Sequence, residues 1–338
     1  MSIRATAKNV LVTSGLLRFA HRFSGQAAVI LRYHSIQDCP EQHDLTIGCD
    51  SIHATAIFAN HIELIAQRFS PASMDDVALF LKGEKALPPR AVVVTFDDGY
   101  KDNFRLAAPI LNHFGVPGTF YLLVDSVDHA KAPWYCLLRH AFATARNPQW
   151  TNPATGKMHQ LTDSKQRYDR FCEGAEICAQ LSSEKRAEWI AEVMSSLDPV
   201  PFPDEGDLMM SWDDARKLLK DGHIVGSHTM THPNVAHISL PDARLELSQS
   251  KALLERELAI PVQHFCYPHP ALMPQWNEDT LRITAESGYT TAVTTGAGAV
   301  RSDTRPLAIP RTYIPRNEKD FLFHLERNLL WRKTHHAN

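Results

Sequence analysis

Asp97 and Asp98 stand side by side at the end of the apolar run Ala91-Val92-Val93-Val94-Thr95-Phe96, with Gly99 next. Two adjacent carboxylates are costly to bury unless something positive compensates, and a metal ion does that. Successive side chains leave a strand in different directions, so one carboxylate can ligate an ion while its neighbour stays free as a base. A solvated Asp-Asp-Gly turn is the plainer reading of the same three residues. Further along, His228-Thr229-Met230-Thr231-His232-Pro233 sets two histidines four positions apart. That spacing brings both imidazoles to one face of a helical turn, a good geometry for a shared ion. With 18 histidines in 338 residues about one such pair is expected by chance. The pair gains weight from its place directly after the apolar run Ile224-Val225-Gly226-Ser227.

Taken together, one carboxylate and two neutral imidazoles form a three-ligand site with room for water, the arrangement of a catalytic rather than a structural metal. Such an ion lowers the pKa of its water toward ~7 and polarises a carbonyl. The spare carboxylate can remove the water's proton, and a leaving amine then needs a general acid, for which histidine is suited.

The elements that must hold these residues follow a strand–helix rhythm. Short β-branched runs at Ala28–Leu31, Ala91–Phe96, Thr119–Val124, Ile224–Ser227, His264–Tyr267 and Thr291–Thr295 end in polar residues. Continuous apolar strands suit a parallel sheet buried on both faces. Helical patterns separate them: Thr55 to Phe69 with Phe58, Ile62 and Ile65 on one face, Asn103 to His113, Ser211 to Lys220 opened by a capping box, a helix with Pro241 in its first turn running to Leu258, and one capped by Asn277 that stops at Gly288. The alternation predicts an α/β fold, and reactive residues at strand C-termini predict a barrel with its site on that rim. An open doubly wound sheet is the alternative, but the chain has no G-x-G-x-x-G loop. From about 129 to 207 the rhythm breaks into helical patterns at Trp134 to Ala145, Ser164 to Leu181 and Ser183 to Leu197. This stretch is read as a helical insertion on the active-site rim.

The expected organisation is an N-terminal amphipathic arm over 1–25, a barrel over 26–316 that carries the insertion, and a C-terminal packing helix and tail over 317–338. The arm's apolar run is interrupted by Thr13, Ser14 and Gly15 and is too short to span a bilayer, which takes roughly 20 apolar residues. No small-residue cleavage site stands out, so a signal peptide is not expected. The arm packs on the domain or, alternatively, makes a peripheral membrane contact. A formal charge of -3 exerts no global pull toward nucleic acid. Cysteines 39, 49, 136, 172, 178 and 266 form no C-x-x-C pair, which suits reduced thiols in a cytoplasmic protein, at the inner face of the membrane if the arm docks there.

Thr95-Phe96-Asp97-Asp98-Gly99 followed by His228-Thr229-Met230-Thr231-His232-Pro233 resembles the polysaccharide deacetylase family, the NodB-homology carbohydrate esterases, from about Ala28 to Arg311 with the insertion left out. The entry to the insertion and Met210-Ser211-Trp212 look like the branch associated with exopolysaccharide synthesis. The resemblance implies a distorted (β/α) barrel, Asp97 as general base, Asp98, His228 and His232 as metal ligands, and an acetylated glycan as substrate. Zinc suits that ligand set, and nickel, cobalt, iron and manganese also tolerate it.

Two departures matter. The family's Arg-x-Pro-Tyr segment corresponds here to Phe265-Cys266-Tyr267-Pro268-His269-Pro270, without the arginine. The late Leu-x-His segment corresponds to Leu307-Ala308-Ile309-Pro310-Arg311, without the histidine. His34, ending Leu31-Arg32-Tyr33-His34, is the candidate acid, resembling permuted members such as biofilm poly-N-acetylglucosamine deacetylases; His269 is the other candidate. Arg311 is the candidate to orient Asp97 by a charge-assisted hydrogen bond. Tyr100 and Tyr267, with Trp276, are compatible with a glycan groove. The readings left beside a deacetylase are another metal-dependent amidase or O-acetyl esterase, a catalytically impaired glycan-binding barrel, and a glycosidase. The last normally needs carboxyls ~5 to 9 Å apart on separate elements.

Overall fold

Every strand of the main sheet is parallel to its neighbours. The computed structural model describes residues 25–203, 205–269 and 271–330. The expected N-terminal arm, up to residue 24, and the tail after 330 therefore lie outside the described residues. The sheet has seven strands: β1 (Ala28–Tyr33), β2 (Ser70–Ala72), β3 (Ala91–Phe96), β4 (Gly118–Leu122), β5 (Ile224–Ser227), β6 (His264–Cys266) and β7 (Thr291–Val293). Its order is β1-β3-β4-β5-β6-β7. β1 occupies one edge of β3 along its whole length. β2 and β4 share the other edge, β2 at Ala91–Val93 and β4 at Val94–Phe96.

Residues 309–312 close the ring. The amide of Ile309 donates to the Ala292 carbonyl, and that of Thr294 to the Ile309 carbonyl, both at 2.8 Å; Thr312 donates to the Ile30 carbonyl, also at 2.8 Å. The first and last strands are thus joined through this segment, and the fold is a distorted (β/α) barrel.

Alternation along each strand sorts the side chains into two sets. Val29, Leu31, Tyr33, Val92, Val94 and Phe96 join the outer core beneath the helices, whereas Ala28, Ile30, Ala91, Val93, Tyr121, Cys266 and Val293 form a second, inner cluster. A Cβ on Gly226 would stand 2.6 Å from the Tyr121 ring, so glycine there makes room for the inner aromatic.

The helices begin where local chemistry starts them. α1 (Thr55–Arg68) buries Phe58, Ile62 and Ile65, the face read from the sequence. α2 (Met74–Leu81) and α8 (Trp212–Lys220) open with Ser73/Asp76 and Ser211/Asp214 capping boxes. α9 (Leu240–Leu258) has Pro241 in its first turn, and α10 (Glu278–Glu286) is capped by Asn277. Each cap contributes about 1 kcal/mol. The expected helix from Asn103 differs from expectation. Asn103–Ala107 forms a wide π turn before α3 (Ala108–Phe114), and the Ala108 amide reaches back to the Asn103 carbonyl. Pro109 has no N–H for the Arg105 carbonyl, which breaks the regular ladder there.

After α4 (Val124–His129) come the insertion helices α5 (Trp134–Thr144), α6 (Ser164–Cys178) and α7 (Ser183–Leu197), which enclose their own core of Leu138, Phe142, Trp150, Trp189 and Val193. α11 (Glu318–Leu330) packs Phe321, Leu322, Leu325 and Leu329 inward, with Phe321 stacked on His61 at 4.0 Å. No helix among the described residues is long and apolar enough to cross a membrane.

Candidate active site and metal centre

Asp97 continues the inward alternation of Ala91, Val93 and Thr95, and its amide donates to the Tyr33 carbonyl at 3.0 Å, in line with β1. Alternation alone would turn Asp98 outward. Its left-handed backbone (φ 73°), followed by Gly99 at 85°, ends the alternation just beyond the strand. Both carboxylates line one cavity of about 600 Å³ at the C-terminal rim, a volume typical of ligand sites.

His228 and His232 come to the same place. The Asp98 Oδ1 lies 3.5 Å from each histidine's Nε2. The His228 Nδ1 is 2.9 Å from the Cys266 carbonyl, which can only accept, so Nδ1 carries a proton and Nε2 is the atom that faces Asp98. Asp98 Oδ1 and His232 Nδ1 are buried without a hydrogen-bond partner. An unpartnered buried carboxylate oxygen between two imidazoles fits a cation. Burial, then the charge of His228, pushes His232 down to about 3, which leaves it neutral as a ligand must be. Burial acts to raise the Asp98 carboxyl, but the imidazoles, His228 foremost, outweigh it and hold it at about 2. Asp97, His228 and Cys266 form a second close group, but both Asp97 oxygens are taken by Arg311. Asp98, His228 and His232 are therefore the better cage.

Arg311 approaches from the segment that closes the ring. Its Nη1 and Nη2 donate to Asp97 Oδ1 and Oδ2 at 2.6 and 2.7 Å, and its Nε donates to the Thr294 carbonyl at 3.1 Å. Burial would push Asp97 up, but this guanidinium outweighs burial and holds the carboxyl well below the usual carboxylate range. Oδ1 also accepts from the Cys266 thiol at 3.5 Å, whereas Oδ2 has Arg311 as its one hydrogen-bond donor and keeps a second acceptor direction, so Asp97 can still take a proton there.

His34 directly follows β1, and its Nε2 is 3.9 Å from Asp97 Oδ2. It lines the cavity with its side chain 25% exposed. Asn103 holds the His34 carbonyl at 2.6 Å, and Asp102 accepts from Ser35 Oγ at 2.5 Å, the Ile36 amide at 3.1 Å and Gln37 Nε2 at 2.7 Å. The residues just after Asp97-Asp98-Gly99 therefore pin the strand end that carries His34. His269 also lines the cavity, but its Nε2 lies against Met273 Sδ at 3.2 Å. Tyr100 and Tyr267 are wall residues, each 1% exposed, with hydroxyls turned to Cys136 Sγ and Thr284 Oγ1. Trp276 packs against the outer core and beneath Arg305.

Sequence reasoning missed the supports of the histidine loop. Glu246 on α9 accepts the Met230 and Thr231 amides, both at 2.9 Å, and bonds the Thr231 hydroxyl. Arg186 on α7 donates to the Thr231 carbonyl at 3.0 Å. Trp134 Nε1 donates to the His232 carbonyl at 3.2 Å, and the Tyr135 ring lies 4.7 Å from that of His232. Thr229 and His232 have φ of 68° and 59°, so the loop needs such clamps. Nothing local in the sequence marks these partners, which come from distant helices.

The polysaccharide deacetylase family model matches residues 84–292. The chain belongs to the polysaccharide deacetylase family. Among family relatives, YxkH of Bacillus subtilis (strain 168), named as a candidate polysaccharide deacetylase, is 20% identical over 239 residues, 71% of this chain and 57% of its own length. The poly-beta-1,6-N-acetyl-D-glucosamine N-deacetylase of Escherichia coli (strain K12) is 30% identical over 100 residues, 30% of this chain and 14% of the relative. The chain thus spans well under two thirds of these curated relatives. The barrel is similar to that of the Streptococcus pyogenes deacetylase PplD in complex with acetate (TM-score 0.59, 17% identity, 90% of this chain and 99% of that one). It is also similar to IcaB from Ammonifex degensii (TM-score 0.57, 16% identity, 90% and 98%). At these identities the likeness establishes the deacetylase-family fold.

Proposed function

We propose that the protein hydrolyses N-acetyl groups on N-acetylhexosamine units of an oligo- or polysaccharide, with one divalent ion held by Asp98, His228 and His232. The observation that carries this is the convergence of an unpartnered Asp98 oxygen and two imidazoles, with a second carboxylate fixed beside them. When bound, the ion supplies a Lewis acid that polarises the amide carbonyl and makes water more acidic. Zinc suits the set of one carboxylate and two imidazoles.

Asp97, ionised and held by Arg311, takes the proton of the attacking water. His34 gives a proton to the leaving amine. Its imidazole stands beside the carboxylates, at 3.9 Å from Asp97, whereas His269 lies against Met273. The relative that acts on poly-β-1,6-N-acetyl-D-glucosamine supports a glycan of that class as substrate. All six cysteines are unpaired, which supports a reducing, cytoplasmic setting.

Acetate release from N-acetylated oligosaccharides, with and without a chelator, tests the reading. Chelator-sensitive release from N-acetylglucosamine oligomers is expected. Release only from O-acetylated glycans would move the activity to ester hydrolysis, and cleavage of sugar linkages that survives chelation would make the protein a glycosidase.

A further inference from the structure

We propose that helix α6 of the insertion, backed by Arg139 of α5, forms a stacking subsite for a second sugar ring, so that the protein recognises its substrate as a chain of sugars. This deepens the glycan reading above and rests on it.

Tyr168, Phe171, Cys172 and Ala175 line the cavity that holds Asp97 and Asp98. Their spacing of i, i+3, i+4 and i+7 is one face of α6. The helix is firmly seated, because a Cβ on Gly174 would stand 3.0 Å from the Trp189 ring and 3.2 Å from Leu138. Yet Tyr168 is left 50% exposed. The Arg139 guanidinium lies 4.4 Å from the Phe171 ring centroid and 5.6 Å from that of Tyr168. Gly48 presses on it from another side, where a Cβ would come within 2.7 Å of Arg139 Cζ. The result is a preformed plate, the half-open Tyr168 ring backed by Phe171 (centroids 6.0 Å apart, planes inclined 45°) and by the Arg139 guanidinium, which loses little freedom on binding.

The chemistry of this plate selects a sugar over an apolar ligand. A pyranose offers a flat C–H face to an aromatic ring and hydroxyls around its edge. Arg139, Asp50 and Glu176 supply donors and acceptors for those hydroxyls in the same cavity. Tyr313, 63% exposed just past the ring-closing segment, adds another open aromatic edge. At about 600 Å³ the cavity is continuous from Asp97 to Tyr168 and holds more than one ring. A ring on the plate is then linked to the ring whose acetamide reaches Asp97.

The test compares N-acetylglucosamine with its β-1,6-linked tetrasaccharide, using wild type, Tyr168→Ala and Tyr168→Phe. Calorimetric binding of the tetrasaccharide is measured on chelated protein, and acetate release on metal-loaded protein. Tyr168→Ala is expected to weaken tetrasaccharide binding by roughly 10-fold. It is also expected to lower the tetrasaccharide-to-monosaccharide ratio of kcat/KM, with Tyr168→Phe restoring both. Equal tetrasaccharide binding by wild type and Tyr168→Ala, or no binding by either, overturns the subsite even if acetate is released. Binding that depends on Tyr168 without acetate release from any glycan keeps the subsite and overturns the deacetylase reading.

Discussion

Arg311 grips both oxygens of Asp97 with its two terminal nitrogens, at 2.6 and 2.7 Å, and both side chains are buried. A bidentate pair of this kind fixes the direction of the carboxylate as well as its charge. It makes Arg311 the partner of the proposed base, from a different element than the arginine-bearing segment of the family.

The first prediction concerns that pair. Arg311→Lys loses the fork, burial then dominates, and the Asp97 pKa rises. The ionised base then persists only at higher pH, so the acidic limb of kcat/KM moves upward, by about one unit or more. An unmoved limb would detach Arg311 from the base. Arg311→Ala strands a buried carboxylate and costs about 3–5 kcal/mol in denaturant unfolding near neutral pH. The sign is that of a depressed carboxyl. The wild-type pair stabilises above the unfolded value of about 4, and its contribution is lost as pH falls through the lower folded value.

The second concerns the cage. Asp98→Ala should lower divalent-metal affinity by more than about 100-fold, since even supporting residues are worth 10- to 100-fold. Metal content after dialysis measures it, and a variant that still retains one ion per chain would place the ion elsewhere.

A third separates the two candidate acids. His34→Ala should lower kcat by roughly 10²- to 10⁴-fold with metal content unchanged. His269→Ala should leave most of the rate, because its imidazole lies against Met273. The reverse pattern would hand the role to His269.

A fourth tests the clamp on the histidine loop. Glu246→Ala leaves the Met230 and Thr231 amides without their acceptor, a loss of about 1–3 kcal/mol for each group. Thermal unfolding should report it, and metal affinity should fall by roughly 10-fold as the loop loosens. Normal stability with normal metal uptake would show the clamp to be dispensable.

The barrel was legible because its strands are continuous apolar runs and several of its helices announce their starts, at the Ser211 capping box, at Pro241 and at the Asn277 cap. Asp97, Asp98, His228 and His232 were legible because each pair lies within one short motif after a strand. The supports were not. Asp102, Arg186 and Glu246 are ordinary polar residues on helices or turns, and only folding brings them to the strand ends. The wide turn at Asn103 was hidden for a similar reason, since an apolar period cannot report a shift from one hydrogen-bond ladder to another. Tyr168 and Phe171 of α6 read equally well as core, because the sequence does not say which aromatic stays open.

The shared family segment, 84–292, contains the four residues of the two motifs, whereas His34 precedes it and Arg311 follows it. They meet because the ring is sewn shut by 309–312 against β1. The proposed cation cage and the two side chains that flank the proposed base are therefore drawn from different stretches of the chain, and only ring closure brings the flanking pair to the cage.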